Sequence, residues 1–392
     1  MPTGQFKTAQ AVDQTVVRKA NERAVLTHIA LHSGVSAADI AKAVGLGPQT
    51  VGKIVAELLE HGMLERGEVT RGHRGKPATP LSVASTAAYS IGCEIGWRHC
   101  ELVLLNIHGV VLGQHRWDLD RFEPSRLLRD IVSVVDLLRR ILPQAKQRAL
   151  TGFALALPAD FGARIEMLGG NAREAAAWAD VDLGAEIARA IDLPVSTFSD
   201  GAVACWAQLA AFPRPRPDNF CFIRVSDFIA TGFIVNSRLW DPTDRDIGFR
   251  TGRPAGAPLS IEQTGGLFGL RSKLMSAGEA TVEEPAFDEP SWEGFEPVLS
   301  DWLGSATAGV ASAIQCTAIT TGLTDFVIDG AMPAAVLKRY VVGTRRQLAS
   351  LPTPSLRPIS VKAGTVGTSG PARGAALKDL FTRYYSGEWE HF

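Results

Sequence analysis

The chain has 392 residues, of which 46% are hydrophobic, and carries 40 Lys and Arg against 41 Asp and Glu. This length and composition predict two or three domains with cores of their own. A net charge of −1 excludes a basic field over the whole chain, but residues 1–84 hold ten basic and seven acidic side chains, a local +3. Binding to a polyanion would therefore be local and sensitive to salt.

The cysteines are scattered among apolar neighbours without a CxxC pair: Cys93, Cys100, Cys205, Cys221 and Cys316. This usage indicates buried thiols in a reducing compartment and favours neither disulfides nor a cysteine zinc site. No apolar run reaches the length of a membrane span, and the first ten residues lack a secretory core. We therefore expect a cytoplasmic protein without membrane partners.

Residues 36–77 follow a first helix, expected over 21–32, and show the pattern of a winged helix-turn-helix. Ser36 stands at an N-cap position. Gly45 follows where a tight turn would need a left-handed backbone, and Pro48 suits the first turn of the next helix. An ordinary helical hairpin is the alternative. The spacing of the cap, the turn glycine and the basic wing favours the winged motif.

The helix that starts at Pro48 has two distinct faces. Its expected buried face consists of Val51, Ile54, Val55, Leu58 and Leu59. Short polar or cationic side chains point outward near its N-terminal end, where residues that read a DNA groove belong. A basic wing would meet the DNA backbone or the minor groove. The predicted DNA-binding residues are Ser36, Gln49, Thr50, Lys53, Arg71, Arg74 and Lys76.

Beyond the wing the pattern changes to mixed strands and helices. Residues 89–120 alternate apolar and polar around a turn at Gly109, which predicts antiparallel strands. Then follow a helix over 124–142, a strand over 152–158, a helix over 183–190, a strand over 195–198 and a helix near Gly201. A second set has a hairpin over 220–240, a long helix over 293–320, a strand over 326–330 and a final helix over 372–384.

This duplication predicts two α/β lobes with a cleft between them. We expect a DNA-binding domain over 1–84, a first lobe over 85–205 and a second lobe over 206–392. The second lobe would bind a ligand and dimerise, and its last helix would pack back on the first lobe.

The order of these segments resembles the repressor, open-reading-frame and kinase (ROK) family, over about residues 21–380. The resemblance implies actin-like ATPase (ribonuclease H-like) lobes behind the winged helix-turn-helix. In the family's kinases two glycine-rich segments approach phosphate. Here the first carries Trp97 and Arg98, and the second has lost most of its glycines and gained Asp227. Bulk and negative charge at these places argue against ATP binding. We therefore expect no enzyme activity and no cofactor.

The resemblance also implies a ligand site. Asp200 matches the carboxylate that acts as general base on a sugar hydroxyl in the kinases. Phe249 replaces a metal-binding histidine and the cysteine-rich zinc loop has no counterpart, so no metal is expected. The predicted ligand-binding residues are Asp200, Ser199, Asp246, Glu262 and Asn171. The alternative is that the carboxylates are solvated loop residues left from an ancestral sugar site.

One motif in the first lobe has two interpretations. Trp97, Arg98 and His99 could recognise an anionic or aromatic ligand. Alternatively, Trp97 fills the space that a phosphate would occupy.

These patterns favour a ligand-responsive transcriptional regulator, a repressor of carbohydrate-related genes. It would bind a palindromic double-stranded DNA operator as a homodimer or higher homo-oligomer, and its effector would be a sugar or sugar derivative. One alternative is a sugar kinase with an appended DNA-binding domain. Another is a constitutive DNA-binding protein whose lobes only oligomerise.

Overall fold

A computed structural model describes the protein over residues 14–32, 34–67, 80–158, 160–240, 260–278, 292–352 and 357–386. The chain divides into two compact units. One groups the described residues up to Ala88 with those from Leu380 onward. The other runs from Tyr89 to Asp379.

The described N-terminal residues of the first unit form helices α1 (Gln14–Leu31), α2 (Ala37–Val44) and α3 (Pro48–Glu60). Strands β1 (Leu64–Arg66) and β2 (Leu81–Val83) follow and pair antiparallel. Helix α1 begins about seven residues before the predicted start at residue 21. No glycine or proline interrupts this extension, and Arg18 pairs with Glu22 one turn later at 3.0 Å, a spacing that supports a helix.

The C-terminal residues of this unit bind to α1. The Arg23 Nε donates to the carbonyl oxygen of Arg383 at 3.0 Å, and the backbone N–H of Ser386 donates to Thr27 Oγ1 at 2.9 Å. The end of the chain therefore contributes to the same compact unit as the predicted DNA-binding motif.

The second unit begins with a five-stranded sheet. Its strands are β3 (Tyr89–Ile95), β4 (His99–Asn106), β5 (Val111–Asp118), β6 (Leu150–Leu157) and β7 (Val195–Ser199), in the order β5-β4-β3-β6-β7. The first three are antiparallel, and β3, β6 and β7 are parallel. The helices are α4 (Pro124–Ile141), α5 (Phe161–Arg164), α6 (Ala172–Ala177), α7 (Leu183–Ile191) and α8 (Asp200–Ala211). We call this sheet with α4–α7 the first lobe.

A second sheet repeats the plan. Its strands are β8 (Phe220–Val225), β9 (Ile229–Val235), β10 (Arg238–Trp240), β11 (Asp325–Gly330) and β12 (Ser360–Ala363), in the order β10-β9-β8-β11-β12. Again three antiparallel strands are followed by two parallel ones. Its helices are α9 (Ile261–Gly265), α10 (Leu267–Ser276), α11 (Val298–Thr321) and α12 (Ala334–Ser350). This is the second lobe, and the shared strand order confirms the predicted fold class.

Two helices, α8 and α13 (Gly370–Tyr384), connect the sheets by close backbone contacts. A Cβ added to Gly92 in β3 would lie 1.9 Å from the carbonyl oxygen of Ala372 in α13. One added to Gly374 would lie 1.8 Å from the carbonyl oxygen of Val203 in α8, and one added to Gly201 of α8 would lie 2.5 Å from the carbonyl oxygen of Thr231 in β9. Only glycine permits this approach. Packing therefore runs from β3 through α13 and α8 to β9. The boundary predicted between the two lobes, at residue 205, lies inside α8.

Two sequence expectations change in detail. Helix α11 starts at Val298, since residues 293–295 form a 3-10 helix that ends before Pro297. Four of the five cysteines are buried as predicted, whereas Cys316 on α11 is exposed. Within the described part of the chain, no helix combines the length and the apolar character needed to cross a bilayer.

Candidate functional site

The start of α2 is held by a reciprocal cap. Ser36 has extended backbone angles, and its hydroxyl accepts the backbone N–H of Asp39 at 3.3 Å. In return, Asp39 Oδ2 accepts the backbone N–H of Ser36 at 3.2 Å and its hydroxyl at 2.6 Å. These hydrogen bonds hold the pKa of Asp39 below its ordinary value. The predicted N-cap is confirmed, and the Ser36 hydroxyl is engaged in the cap.

The turn between α2 and α3 matches its sequence signals. Gly45 has a φ of 68°, in the left-handed region, and its N–H donates to the carbonyl of Ala41. Pro48 occupies the first turn of α3. These two residues set the angle at which α3 leaves α2.

Helix α3 buries one face and exposes the other. Val51, Ile54, Val55 and Leu58 are buried, and Leu59 is half-buried. Gln49, Thr50, Gly52 and Lys53 are exposed near the N-terminal end. Three predicted groove-reading side chains therefore share one accessible patch on a helix that a small core holds in place.

The wing is described only at its base. Leu64 pairs with Val83 and Arg66 with Leu81 in the antiparallel strands β1 and β2. The predicted tip residues Arg71, Arg74 and Lys76 lie outside the described residues.

Between the two lobes lies a cavity of about 440 Å³. Its size falls in the range of sites for small ligands. The lining residues are Glu94, Gly96, Trp97, Arg98, His99, Arg116, Asp118, Ser226, Asp227, Leu267, Arg271, Ala331, Met332, Pro333, Ala334 and Thr368. Trp97, Arg98 and His99, singled out from the sequence, are among them.

Ion pairs join the lobes around this cavity. Glu94 of β3 binds Arg224 of β8 at 2.7 Å, and both side chains are only 1% exposed. Arg224 also donates to the carbonyl oxygens of Gly367 and Thr368, each at 3.4 Å. Burial raises the pKa of Glu94, but Arg224 and then His99 lower it, and the net direction is downward. Glu94 is therefore a carboxylate in a buried, charge-paired setting.

Asp227, the acidic residue in the second of the two segments compared with the kinases, is also paired. Arg98 of the first lobe lies 3.1 Å from its Oδ1, and Arg271 of α10 lies 3.2 Å from the same oxygen. Repulsion of a phosphate by a free Asp227 is therefore not the obstacle that the sequence indicates. Two guanidinium groups offset its charge and fill the space beside it.

Aromatic side chains close the neighbouring space. Trp97 is 6% exposed, stacks on Phe161 at 5.6 Å between ring centroids, and meets Phe228 edge-on at 4.8 Å. Trp97 is therefore part of a packed aromatic cluster at the cavity wall. Both interpretations of Trp97, as a ligand-recognising residue and as a filler of a phosphate position, stay predictions.

A buried carboxylate holds the loop after β12. The Asp329 Oδ2 accepts the backbone N–H groups of Val366 and Gly367 at 2.8 and 2.9 Å. Its Oδ1 accepts the N–H of Gly330 at 2.8 Å. This loop is therefore fixed by the chain's own side chains on the side that faces Arg224.

The predicted ligand-binding residues are not gathered in the cavity. Asp200 is 2% exposed as the first residue of α8, and Ser199 caps that helix by accepting the N–H of Ala202 at 3.3 Å. Asn171 is exposed and caps α6. Asp246 lies outside the described residues. None of the described members of this set lines the cavity, and their role in binding stays a prediction.

Glu262, the fourth described member of the predicted set, is buried and paired across the lobes. Arg164 Nη2 of α5 lies 3.0 Å from its Oε2. The guanidinium of Arg164 also lies over the Phe228 ring, 5.0 Å from its centroid. Glu262 is therefore not a solvated loop residue.

Sequence reasoning missed the charged residues that join the lobes, Arg164 and Arg224 above all. A usable signal existed for Arg224, because it interrupts the otherwise apolar strand FCFIRV, all of whose residues are buried. An arginine in such a strand requires a carboxylate partner. The capping role of Asn171 also had a signal, since Glu174 three residues later completes a capping box.

Known proteins and protein families are similar to this chain in sequence and in fold. A model of the MarR family matches residues 19–75. The xylose repressor of Bacillus subtilis (strain 168) is 25% identical over 233 residues, 58% of this chain and 58% of that protein. This match therefore spans less than two thirds of the repressor.

Two solved structures share the fold. A ROK family transcriptional regulator, a homologue of the E. coli MLC protein, superposes with a TM-score of 0.69 at 17% identity, over 94% of this chain and 98% of that chain. A ROK family glucokinase from Streptomyces griseus, in complex with glucose and AMPPNP, gives a TM-score of 0.56 at 15% identity, over 74% of this chain and 98% of that chain. This chain therefore shares its two-lobed fold with a ROK family transcriptional regulator and a ROK family glucokinase.

Proposed function

We propose that this protein is a ligand-responsive DNA-binding transcriptional regulator, a repressor of carbohydrate-related genes. Its N-terminal unit would bind a double-stranded operator, and its lobes would bind a sugar or sugar derivative without catalysing a reaction on it. The similarity to a xylose repressor and to a ROK transcriptional regulator supports this assignment.

The observation that carries the proposal is the accessible face of α3. Gln49, Thr50 and Lys53 lie together near the N-terminal end of a helix fixed by the Ser36 cap and the Gly45 turn. In helix-turn-helix proteins this end of the second helix contacts base edges in the major groove. The amide of Gln49 can donate to and accept from an adenine, and Lys53 can bind phosphate or guanine.

We further propose that the protein acts as a homodimer or higher homo-oligomer. One α3 helix reads about half of a symmetric operator, so two copies would place two helices in successive major grooves, about one helical turn or a multiple apart. Ligand binding in the lobes would change operator affinity, and by linkage operator binding would change ligand affinity by the same factor. Helix α13 contributes residues to both units, which supports such coupling.

Footprinting on the region upstream of the gene tests the proposal. Wild-type protein should protect a palindromic site, and Gln49→Ala should weaken that protection by about tenfold, the loss of one base contact of 1–3 kcal/mol. Arg189→Ala, a change on α7 in the first lobe, is the control and should protect like wild type. Absence of a specific, salt-dependent footprint would refute DNA binding as the function.

The effector is assigned to the lobes and tested separately. Screening sugars and sugar acids by thermal denaturation should identify a ligand that, at 100 times its dissociation constant, stabilises the fold by about 2.7 kcal/mol. Asp200→Asn should reduce that stabilisation if Asp200 accepts hydrogen bonds from ligand hydroxyls, as predicted. No response to any polyol would favour constitutive DNA binding with lobes that only oligomerise.

A sugar kinase with an appended DNA-binding domain is the second candidate, favoured by the fold shared with a glucokinase and by Asp200 at the start of α8. Against it, Trp97 stands in the segment that the resemblance assigns to phosphate binding, and it packs against Phe161 and Phe228. Sugar-dependent ATP turnover that Asp200→Asn abolishes would establish the kinase. No turnover with sugars that stabilise the protein would support the regulator.

A further inference from the structure

Three ionisable side chains share one face of the β3–β4 hairpin. Glu94 lies directly opposite Glu101 in the strand register. His99 precedes Glu101 by two residues on the same strand, and side chains two apart in a strand point to the same face. One ligand atom from each of Glu94, His99 and Glu101 lies within 4.8 Å of the others, and all three residues are buried. The fold therefore concentrates two carboxylates and an imidazole in one place.

Two buried carboxylates lie next to each other at this place. Glu94 and Glu101 are each 1% exposed, and like charges directly opposite in a sheet repel each other. Arg224, 2.7 Å from Glu94, supplies a buried positive charge. His99 Nε2 lies 3.6 Å from Glu94 Oε1, and the exposed Arg116 pairs with Glu101 in the strand register. Carboxylates in such a buried setting need a partner, a proton or a metal ion.

Each carboxylate uses one oxygen and leaves the other without a partner. Glu94 Oε1 accepts from Arg224, and Glu101 Oε1 accepts the hydroxyl of Ser369 at 2.8 Å. Among the described residues, Glu94 Oε2, Glu101 Oε2 and His99 Nε2 are buried and have no hydrogen-bond partner, and His99 Nε2 lies 3.6 Å from Glu94 Oε1. Buried polar atoms are rarely left so, which makes three of them in one cluster an independent indication of a bound species.

We propose that Glu94, His99 and Glu101 bind a divalent first-row transition-metal ion of the Zn²⁺ type. Two carboxylates and an imidazole are a donor set that suits such ions, and the imidazole disfavours Mg²⁺ and Ca²⁺. Metal–ligand distances are about 2.0–2.2 Å, so small side-chain rotations would close the present spacing. A charge of +2 would offset the repulsion between the two carboxylates.

The surroundings of the site provide a path for the ion and link metal binding to the contact between the lobes. Glu94 and His99 line the cavity between the lobes, which provides a path for the ion. Because Arg224 of the second lobe shares Glu94 with this cluster, metal binding would weaken or redirect an ion pair that joins the lobes. The site is distinct from the cysteine-rich zinc loop of the ROK resemblance, which this sequence lacks, and the proposal departs from the sequence expectation of no metal.

Metal binding by the full-length chain tests the proposal. Protein carrying Cys316→Ser, which removes the exposed thiol, would be stripped with a chelator and titrated with Co²⁺ by visible absorption and with Zn²⁺ by calorimetry. One equivalent should bind. Glu101→Gln and His99→Asn should each weaken binding by at least about tenfold, since even residues behind a metal ligand change affinity by 10–100-fold.

Two matched control variants remove a carboxylate charge and an imidazole at residues outside the cluster. Asp118→Asn changes an exposed carboxylate that lines the same cavity, and His115→Asn changes an exposed imidazole on β5. Both should bind the metal like the parent. Circular dichroism of the metal-free variants checks folding, and Glu101→Gln keeps an acceptor for Ser369. Absence of Co²⁺ and Zn²⁺ binding, or equal binding in all variants, would overturn the proposal, and neither outcome bears on DNA binding.

Discussion

Charged side chains are used differently in the two units of this protein. In the N-terminal unit, Lys53 and its polar neighbours are exposed on α3, and the core beneath them is apolar. In the lobes, Glu94 and Arg224 are almost completely buried and bind each other across the cleft. The first arrangement leaves side chains available to a partner outside the chain. The second commits them to partners within it.

The difference matters for stability and function. Exposed polar residues on α3 contribute little to folding, so they can be selected for recognition. Buried ion pairs carry a large desolvation cost, and removal of one member leaves the other charge without compensation. Substitutions in the cleft should therefore act mainly on folding, and substitutions on α3 mainly on binding.

Arg224→Met should produce the largest loss of stability. It removes the buried partner of Glu94 and two hydrogen bonds to the loop carbonyls of residues 367–368, so we expect a loss of about 3–5 kcal/mol in the free energy of unfolding. Urea denaturation measures it. The double variant Glu94→Gln with Arg224→Met should recover much of the loss, because no buried charge is left unpaired. A loss below about 1 kcal/mol for the single variant would contradict the importance of the pair.

Gly45→Ala should have an intermediate effect. The added Cβ meets no atom within 4 Å, so the cost arises from the left-handed φ of 68° alone. We expect about 1–2 kcal/mol, read from thermal unfolding of the N-terminal unit. Gly52→Ala on α3 is the matched control: it also meets open space but is helical, and should stabilise by up to about 1 kcal/mol. Equal effects of Gly45→Ala and Gly52→Ala on stability would show that the left-handed backbone at Gly45 does not determine the cost of the substitution.

Ser36→Ala should have the smallest of these effects, about 1 kcal/mol, because it removes the N-cap of α2. Ser36→Thr, which keeps the hydroxyl, should be close to wild type. Since the hydrogen bonds from Ser36 lower the pKa of Asp39, their contribution is present above the ordinary titration range of an aspartate and is lost as the pH falls through the lowered pKa. Thermal unfolding at neutral and acid pH should show the difference between wild type and Ser36→Ala shrinking in acid.

Local features of the N-terminal unit could be predicted because they depend on neighbours in sequence. The Ser36 cap, the Gly45 turn and the buried side of α3 each follow from residues within a few positions. The two α/β lobes were also predictable from the repeated pattern of strands and helices, whereas the strand order in each sheet comes from the structure. In contrast, Glu94 and Arg224 are 130 positions apart, and no short-range signal selects that partner among the charged residues.

The predicted ligand residues show the same limit. Asp200 and Glu262 are buried, but their placement relative to a ligand depends on the packing of two lobes and on residues such as Arg164, which only the structure brings to Glu262. The cavity is lined instead by Glu94, His99 and their neighbours. The cavity lining includes Trp97, Arg98 and Asp227, at which this sequence departs from the kinase pattern.

Operator affinity as a function of salt tests the central claim most directly. Fluorescence anisotropy with the footprinted site would compare wild type, Lys53→Ala on α3 and Lys338→Ala, an exposed lysine on α12. A phosphate contact by Lys53 predicts weaker binding and a salt slope reduced by about 1 for Lys53→Ala, with Lys338→Ala unchanged. Equal affinity and equal salt slope for all three proteins would contradict operator recognition by α3.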